Sequence, residues 1–387
     1  MPKYSIVVPT RNRIETLKIC LESIFVQPER DMEIVVADNA SADGTESYVK
    51  SLTDSRVVYT RSDEPLSMRG NWTRALQRIS GDWLIFIGDD DALMPDFTAL
   101  AELVMRKADV PIIAWNRPIY RWPSFAGEHE RNRLKFRVGT TLKLVDSKAA
   151  LKAMYQKFIK PFDMPSVYHN LVQRSLVQKI TEALNGYPMS ISPDMGSGIL
   201  NLAYSDRFAQ FDRPLSVMGY SDGSAGSAFK YTAPDSQQRN AFTSLEPEID
   251  ELIQRYPLQG LQSVEAMVFR ILKDMIRFVR QAGIEIDCDL HGFADWHVRR
   301  IGFAHPDERA DVVAKLHALC TENGFSDIVI PSEITNEPVG FGQQMPFIVA
   351  DKAGTGGFQG QIDFSHTPVA DVLGAARVLK GMLPDLK

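Results

Sequence analysis

The run Trp83-Leu84-Ile85-Phe86-Ile87, closed by Gly88-Asp89-Asp90-Asp91, constrains this chain more than any other segment. An apolar stretch of that length suits a buried strand, and a strand without polar alternation is covered on both faces. Open α/β sheets bind ligands beyond the carboxyl ends of such strands. Three adjacent carboxylates repel one another, so a fold carries them best beside a cation. Hard oxygen donors suit Mg²⁺ or Mn²⁺, ions that commonly arrive with a polyphosphate. A solvated acidic turn before a helix is the plain alternative. The strand in front and Pro95 behind, where proline favours helix entry, move the balance toward a metal–phosphate site.

Strand and helix patterns alternate through the first 115 residues. Strands are expected over residues 4–8, 33–37, 56–60, 83–87 and 111–115. Helices are expected around 17–24, 45–52 and 71–79, and after Pro95. This order predicts an α/β fold with a mostly parallel, doubly wound sheet. Residues 116–145 lack periodicity and read as a β-rich or looped excursion. A helix follows over 147–158, then a break at 161–165, an edge strand at 167–172 and a helix from Ser175. Asp194 opens a helix to Tyr204, and 207–218 has strand character. Residues 221–230, with Gly223 and Gly226, form a small-residue loop suited to a lid.

The texture changes beyond residue 240, where a mainly helical C-terminal region is expected. Residues 263–281 make a long amphipathic helix, with Val264, Met267, Val268, Ile271, Leu272, Met275 and Val279 on its apolar face. Arg270, Lys273, Arg277 and Arg280 fall on the polar face. Glu265 and Asp274 dilute that charge, which favours a packed helix over one lying on a membrane. Further helices are expected at 307–323 and 369–382. The loop at residues 354–357 lacks a strand–loop–helix context and is not read as a phosphate cradle.

With 387 residues and a net charge of −6, the chain has room for two or three domains and no bias toward nucleic acid. Cys20, Cys288 and Cys320 are too few and too scattered for a disulfide framework or a zinc cluster, which suits a reducing cytoplasmic setting. No signal-peptide pattern opens the sequence, and no apolar run nears the roughly 20 residues that cross a bilayer.

Four segments in order carry a resemblance. Ser5-Ile6-Val7-Val8-Pro9-Thr10-Arg11-Asn12-Arg13 resembles the opening strand of inverting glycosyltransferases of family 2, which have the GT-A fold. The segment from Val35 through Asp38-Asn39 to Gly44-Thr45 looks like that family's second strand and turn. Met68-Arg69-Gly70-Asn71-Trp72 is similar to its basic segment, and Gly88-Asp89-Asp90-Asp91 with Pro95 to its acidic motif. The likeness is dense over residues 1–100 and looser to about 230. It implies a catalytic domain over 1–230, with a nucleotide-sugar half to about 115 and an acceptor half beyond. Residues 231–387 form an accessory region of unassigned role.

The resemblance also implies roles. Pro9, Thr10, Asn12 and Asp38 would line the nucleotide pocket, and Arg69 would approach the diphosphate or base. Aligned on Pro95, the metal-binding aspartate falls on Asp90, Asp89 faces the ribose, and Asp91 is the next ligand. A plain acid–any–acid reading pairs Asp89 with Asp91 instead, because alternate side chains on a strand share a face. The cation would be Mn²⁺ or Mg²⁺. Asp194 is the expected base that deprotonates the acceptor hydroxyl. His169 is a weaker candidate for contact with acceptor or donor sugar. Relatives commonly carry Glu-Asp where this chain has Pro193-Asp194, and some carry a histidine in the loop beginning at Ser221 that is missing here. The expected partners are a nucleotide-sugar donor, UDP-sugar first, and a saccharide or lipid-linked acceptor. They imply peripheral placement at the inner face of the cytoplasmic membrane, in an oligomeric state left open. Two alternatives stand: a sugar nucleotidyltransferase, disfavoured by the absence of glycines after Pro9, and a catalytically silent carbohydrate-binding scaffold.

Overall fold

The computed structural model describes residues 2–159, 164–187, 189–224, 236, 240, 243–331, 349–350 and 357–384. Strand β1 (Tyr4–Thr10) lies between β2 (Met32–Asp38) and β4 (Trp83–Phe86), parallel to both, and β3 (Val57–Arg61) extends the sheet past β2. Beyond β4 come β10 (Leu171–Gln173), β6 (Ile112–Trp115), β11 (Arg207–Phe211) and β9 (Leu142–Asp146). The sheet is mostly parallel; β10 and the edge strand β9 run antiparallel to their neighbours.

Successive side chains of β1 point to opposite faces, and both faces are dry. Ile6 and Val8 pack with Ile34, Val36 and Ile85 against α1 (Ile14–Phe25) and α4 (Phe97–Lys107). Val7 and Phe86 pack on the other side with α3 (Met68–Leu76), α5 (Ser147–Lys157), α6 (Arg174–Leu184) and α7 (Pro193–Tyr204). Two-sided burial is why these strands read as continuous apolar runs. The short α2 (Thr45–Ser51) closes the β2–β3 connection. Ser67 caps α3 by accepting from Gly70 N–H at 3.0 Å, which starts that helix three residues earlier than its periodicity suggests.

A smaller sheet joins β5 (Ala92–Leu93), β12 (Ser216–Tyr220), β7 (Ile119–Arg121) and β8 (Arg133–Val138) to β14 (Phe358–Asp363) and β13 (Val349–Ala350). Helix α12 (Val372–Met382) covers it through Val372, Ala375, Ala376 and Leu379. The end of the chain is thus stitched back onto residues 119–138 by antiparallel pairing of β14 with β8. The helices α8 (Glu248–Arg255), α9 (Val264–Gln281), α10 (Leu290–Val298) and α11 (Arg309–Glu322) join the core on the α3–α7 side.

Three expectations change. The strand near 167–172 is an interior strand, β10, between β4 and β6, and not an edge. The single strand over 207–218 is two strands in different sheets, because Pro214 interrupts the ladder after Phe211. Arg270, placed on the polar face of α9, is fully buried. Residues 161–163 of the expected break, 225–230 of the small-residue loop and 354–356 of the glycine loop lie outside the described residues.

Candidate active site

Strand register assembles the site. Thr10 pairs with Asp38 and Val7 with Phe86, so Asp89, three residues past Phe86, comes level with Thr10. The Thr10 hydroxyl confirms this by donating to Asp89 Oδ2 at 2.7 Å. Asp38, Thr10 and Asp89 therefore form a row along the carboxyl edge of the sheet. Asp38 is fully buried and takes the Ser41 N–H at 2.9 Å and the Tyr59 hydroxyl at 2.6 Å, with Arg61 3.6 Å away. A carboxylate has about four lone-pair sites, so these contacts orient Asp38 without exhausting it. Asn12 is exposed at φ +53° and braces the neighbouring turn, its side-chain oxygen accepting from Ala42 N–H at 2.7 Å.

The acidic triplet splits by direction. Asp89 and Asp90 face the guanidinium of Arg13, whose Nη1 lies 2.8 Å from Asp89 Oδ1 and whose Nη2 lies 2.5 Å from Asp90 Oδ2. Asp90 Oδ2 also accepts from Ser221 Oγ at 2.9 Å and Ser224 Oγ at 2.5 Å. Burial pushes the Asp89 carboxyl up to about 7 against the pull of Arg13 and the Thr10 hydroxyl. Burial pushes Asp90 the same way, but Arg13 with Ser224 and Ser221 outweighs it and holds Asp90 below the usual range.

Asp91, expected as a metal ligand beside Asp90, turns inward. It is fully buried, with Oδ1 taking Gly219 N–H at 2.7 Å and Oδ2 taking Gly88 N–H, the Tyr168 hydroxyl at 2.8 Å and His169 Nε2 at 2.8 Å. Its oxygens are committed to the protein. His169 lies beside it: wholly buried, it bridges Asp91 to Ser216 Oγ, 2.7 Å from Nδ1. A Cβ on Gly88 would lie 2.9 Å from Asp91 Oδ2, so an inward Asp91 and a side chain at 88 compete for one space. A Cβ on Gly219 would overlap the Asp90 carbonyl oxygen at 1.8 Å, which admits only glycine where β12 crosses the acidic turn.

Asp194 lies in the first turn of α7, with Pro193 at the first helical position and Ser192 Oγ donating to its Oδ1. Ser197, one turn on, accepts from Val167 N–H at 3.2 Å, and the Val167 carbonyl accepts from Phe86 N–H at 2.7 Å. These links bring the start of α7 to the tip of β4, the end that bears the acids. The helix N-terminus favours an anion there. Arg69 pairs with Glu248 of α8. Both line a cavity of about 450 Å³ that also touches Tyr187, Ser190 and Ile191, just before Asp194, and Phe278 of α9.

The model of the family described as Glycosyl transferase family 2 matches residues 5–163. That stretch, which holds the strand-end acids, is similar to glycosyltransferase family 2. The fold expected of that family, GT-A, is the mostly parallel α/β architecture seen here. Among curated proteins, the chain is 38% identical over 112 residues to the GalNAc(5)-diNAcBac-PP-undecaprenol beta-1,3-glucosyltransferase of Campylobacter jejuni, covering 28% of this chain and 35% of that protein. It is 33% identical over 112 residues to abequosyltransferase RfbV of Salmonella typhimurium, covering 27% of this chain and 34% of that protein. The chain thus spans about a third of the length of these curated relatives. The crystal structure of S. aureus TarS 1-349 in complex with UDP-GlcNAc superposes with a TM-score of 0.49 and 13% identity over 83% of this chain and 92% of that one.

Arg13, Tyr168, Gly219, Ser221 and Ser224 contact the three acids and were given no role by the sequence. Arg13 closes the first family-like segment and is the one a charge-balance argument finds, since three acids need a counter-ion. The other four come from strands and loops distant in sequence and carry no local signal.

Proposed function

We propose that this chain is an inverting, metal-dependent glycosyltransferase that moves a sugar from a nucleotide donor, UDP-sugar first, to a hydroxyl on a saccharide or lipid-linked acceptor. The observation that carries the reading is the row Asp38–Thr10–Asp89, with Asp90 beside it, at the carboxyl edge of a sheet whose first strands match the family 2 model. The named activities of the Campylobacter and Salmonella relatives support sugar transfer, and the undecaprenol in the first supports a lipid-linked acceptor at a membrane surface. No helix among the described residues is long and apolar enough to cross a membrane.

The donor set fits a hard divalent cation. Asp90 and Asp89 offer only oxygen, and a Mg²⁺-type ion commonly takes one or two carboxylates and completes its shell with phosphate and water. Asp90 would be the main ligand and Asp89 the second. When bound, the ion would neutralise charge gathering on the departing diphosphate. The chain's own groups do the rest in this reading. Pro9 and Thr10 border the nucleobase, and Asp38 accepts from its N–H. Asp194, fixed by Ser192, takes the proton of the acceptor hydroxyl as that oxygen attacks the anomeric carbon. In this reading the acceptor enters through the cavity between Arg69 and Tyr187, Ser190 and Ile191, whose other wall is formed by residues of α8 and α9.

A screen of sugar nucleotides with Mn²⁺, following nucleoside diphosphate release, tests the reading; no release from any donor refutes it. Asp194→Asn is expected to lower kcat by about 10²–10⁴-fold with donor affinity nearly unchanged. Equal losses in both would make Asp194 a structural cap.

A further inference from the structure

We infer that Arg13 is a resident counter-cation for Asp89 and Asp90 that competes with the divalent ion, so that metal binds well only together with the nucleotide diphosphate. The inference rests on the reading that these two acids receive the metal. One guanidinium reaches both carboxylates, at 2.8 and 2.5 Å, and donates from Nη2 to Ser221 Oγ at 2.6 Å. The acids' side chains are only 3% and 5% exposed, while that of Arg13 is 21% exposed. The arginine is therefore the layer between the acids and solvent, and a cation arriving from solvent meets it first.

Arg13 is held from two further sides. Its carbonyl is fixed at the start of α1 by Leu17 N–H at 3.0 Å and the Thr16 hydroxyl at 3.1 Å. A Cβ on Gly223 would lie 3.1 Å from Arg13 Nε, so the loop after β12 passes directly over the side chain. A guanidinium does not lose its proton at any working pH, so the pair cannot be relieved by titration. It is relieved only by moving Arg13 away or by offering it another anion. A diphosphate is such an anion, and the planar fork of the guanidinium suits phosphate oxygens. Arg13 would then pass from carboxylates to diphosphate as the ion takes its place, and no bond is made or broken beyond hydrogen bonds and ion pairs.

Titration calorimetry with Mn²⁺ alone, without nucleotide, tests this on the full chain. Arg13→Gln and Arg13→Met are expected to bind Mn²⁺ at least about tenfold more tightly than the wild type, the scale of coupling between close charge pairs. Adding UDP should strengthen Mn²⁺ binding more in the wild type than in either variant. Equal or weaker binding of Mn²⁺ by whichever variant keeps the wild-type circular dichroism overturns the inference. Asp90→Asn placed in the Arg13→Gln background separates the two readings. Loss of the gained affinity there confirms that the ion was on Asp90; its retention overturns the metal assignment itself.

Discussion

Arg13 at the rim of the site and Arg270 in the core carry their charges on opposite terms. Arg13 is surrounded by carboxylates: burial works against its charge, but Asp89 and Asp90 hold it more firmly protonated than in water. Arg270 of α9 pairs with no acid among the described residues. Its guanidinium donates to the carbonyls of Tyr256 at 2.9 Å, Pro257 at 3.3 Å and Leu261 at 2.7 Å, and burial lowers it to about 10. One arginine balances charge at a ligand-facing edge, and the other uses its fan of donors to pin a turn against a helix. Burial of a charged group is thus no sign of function by itself; the partner decides.

The comparison can be broken at its strongest point. Asp90→Ala removes the acid that Arg13, Ser221 and Ser224 share, and transfer is expected to fall by about 10³-fold or more while the fold survives. Turnover near the wild-type value, measured by nucleoside diphosphate release, would return Asp90 to the status of a structural acid. Arg270→Met removes the donors that reach the Tyr256, Pro257 and Leu261 carbonyls, of which only the Leu261 bond is fully buried, and is expected to cost about 1–3 kcal/mol, read from the denaturant midpoint, with Mn²⁺ affinity unchanged. A shift in metal affinity there would show that the two arginines are coupled.

A smaller effect concerns a third buried charge. Glu246 accepts from Met68 N–H at 2.7 Å at the start of α3, and burial raises its carboxyl from 4.5 to about 7. The folded state thus holds this proton more tightly than the unfolded one. Its contribution to stability is full below the unfolded value and is lost as pH climbs through 7. Glu246→Gln is expected to flatten that loss, on the order of 1–3 kcal/mol between about pH 5 and 8. Parallel stability curves for the two proteins would show that Glu246 is ionised throughout.

What could be read from the chain follows the range of the interactions involved. The strand β4 was legible because two-sided burial forces an unbroken apolar run, and the helices of the first half because their spacing is local. The tip acids were visible as a triplet, but their directions were not. Whether Asp91 serves a ligand or the core depends on Gly219, Tyr168 and His169, which lie more than seventy residues away in sequence. Arg270 failed for the same reason, since periodicity assigns a face to each residue but cannot see the 256–261 turn that covers it.

The sequence alone determined the mostly parallel α/β order, the place of the acids at a strand end and the family likeness, all of which rest on neighbours within a few residues. Only the tertiary structure decided that Asp89 and Asp90 face an arginine while Asp91 is built into the core, and that the chain's last strand returns to β8. Those outcomes come from contacts between distant segments, and a carboxylate's role is set by whichever donors the fold delivers to it.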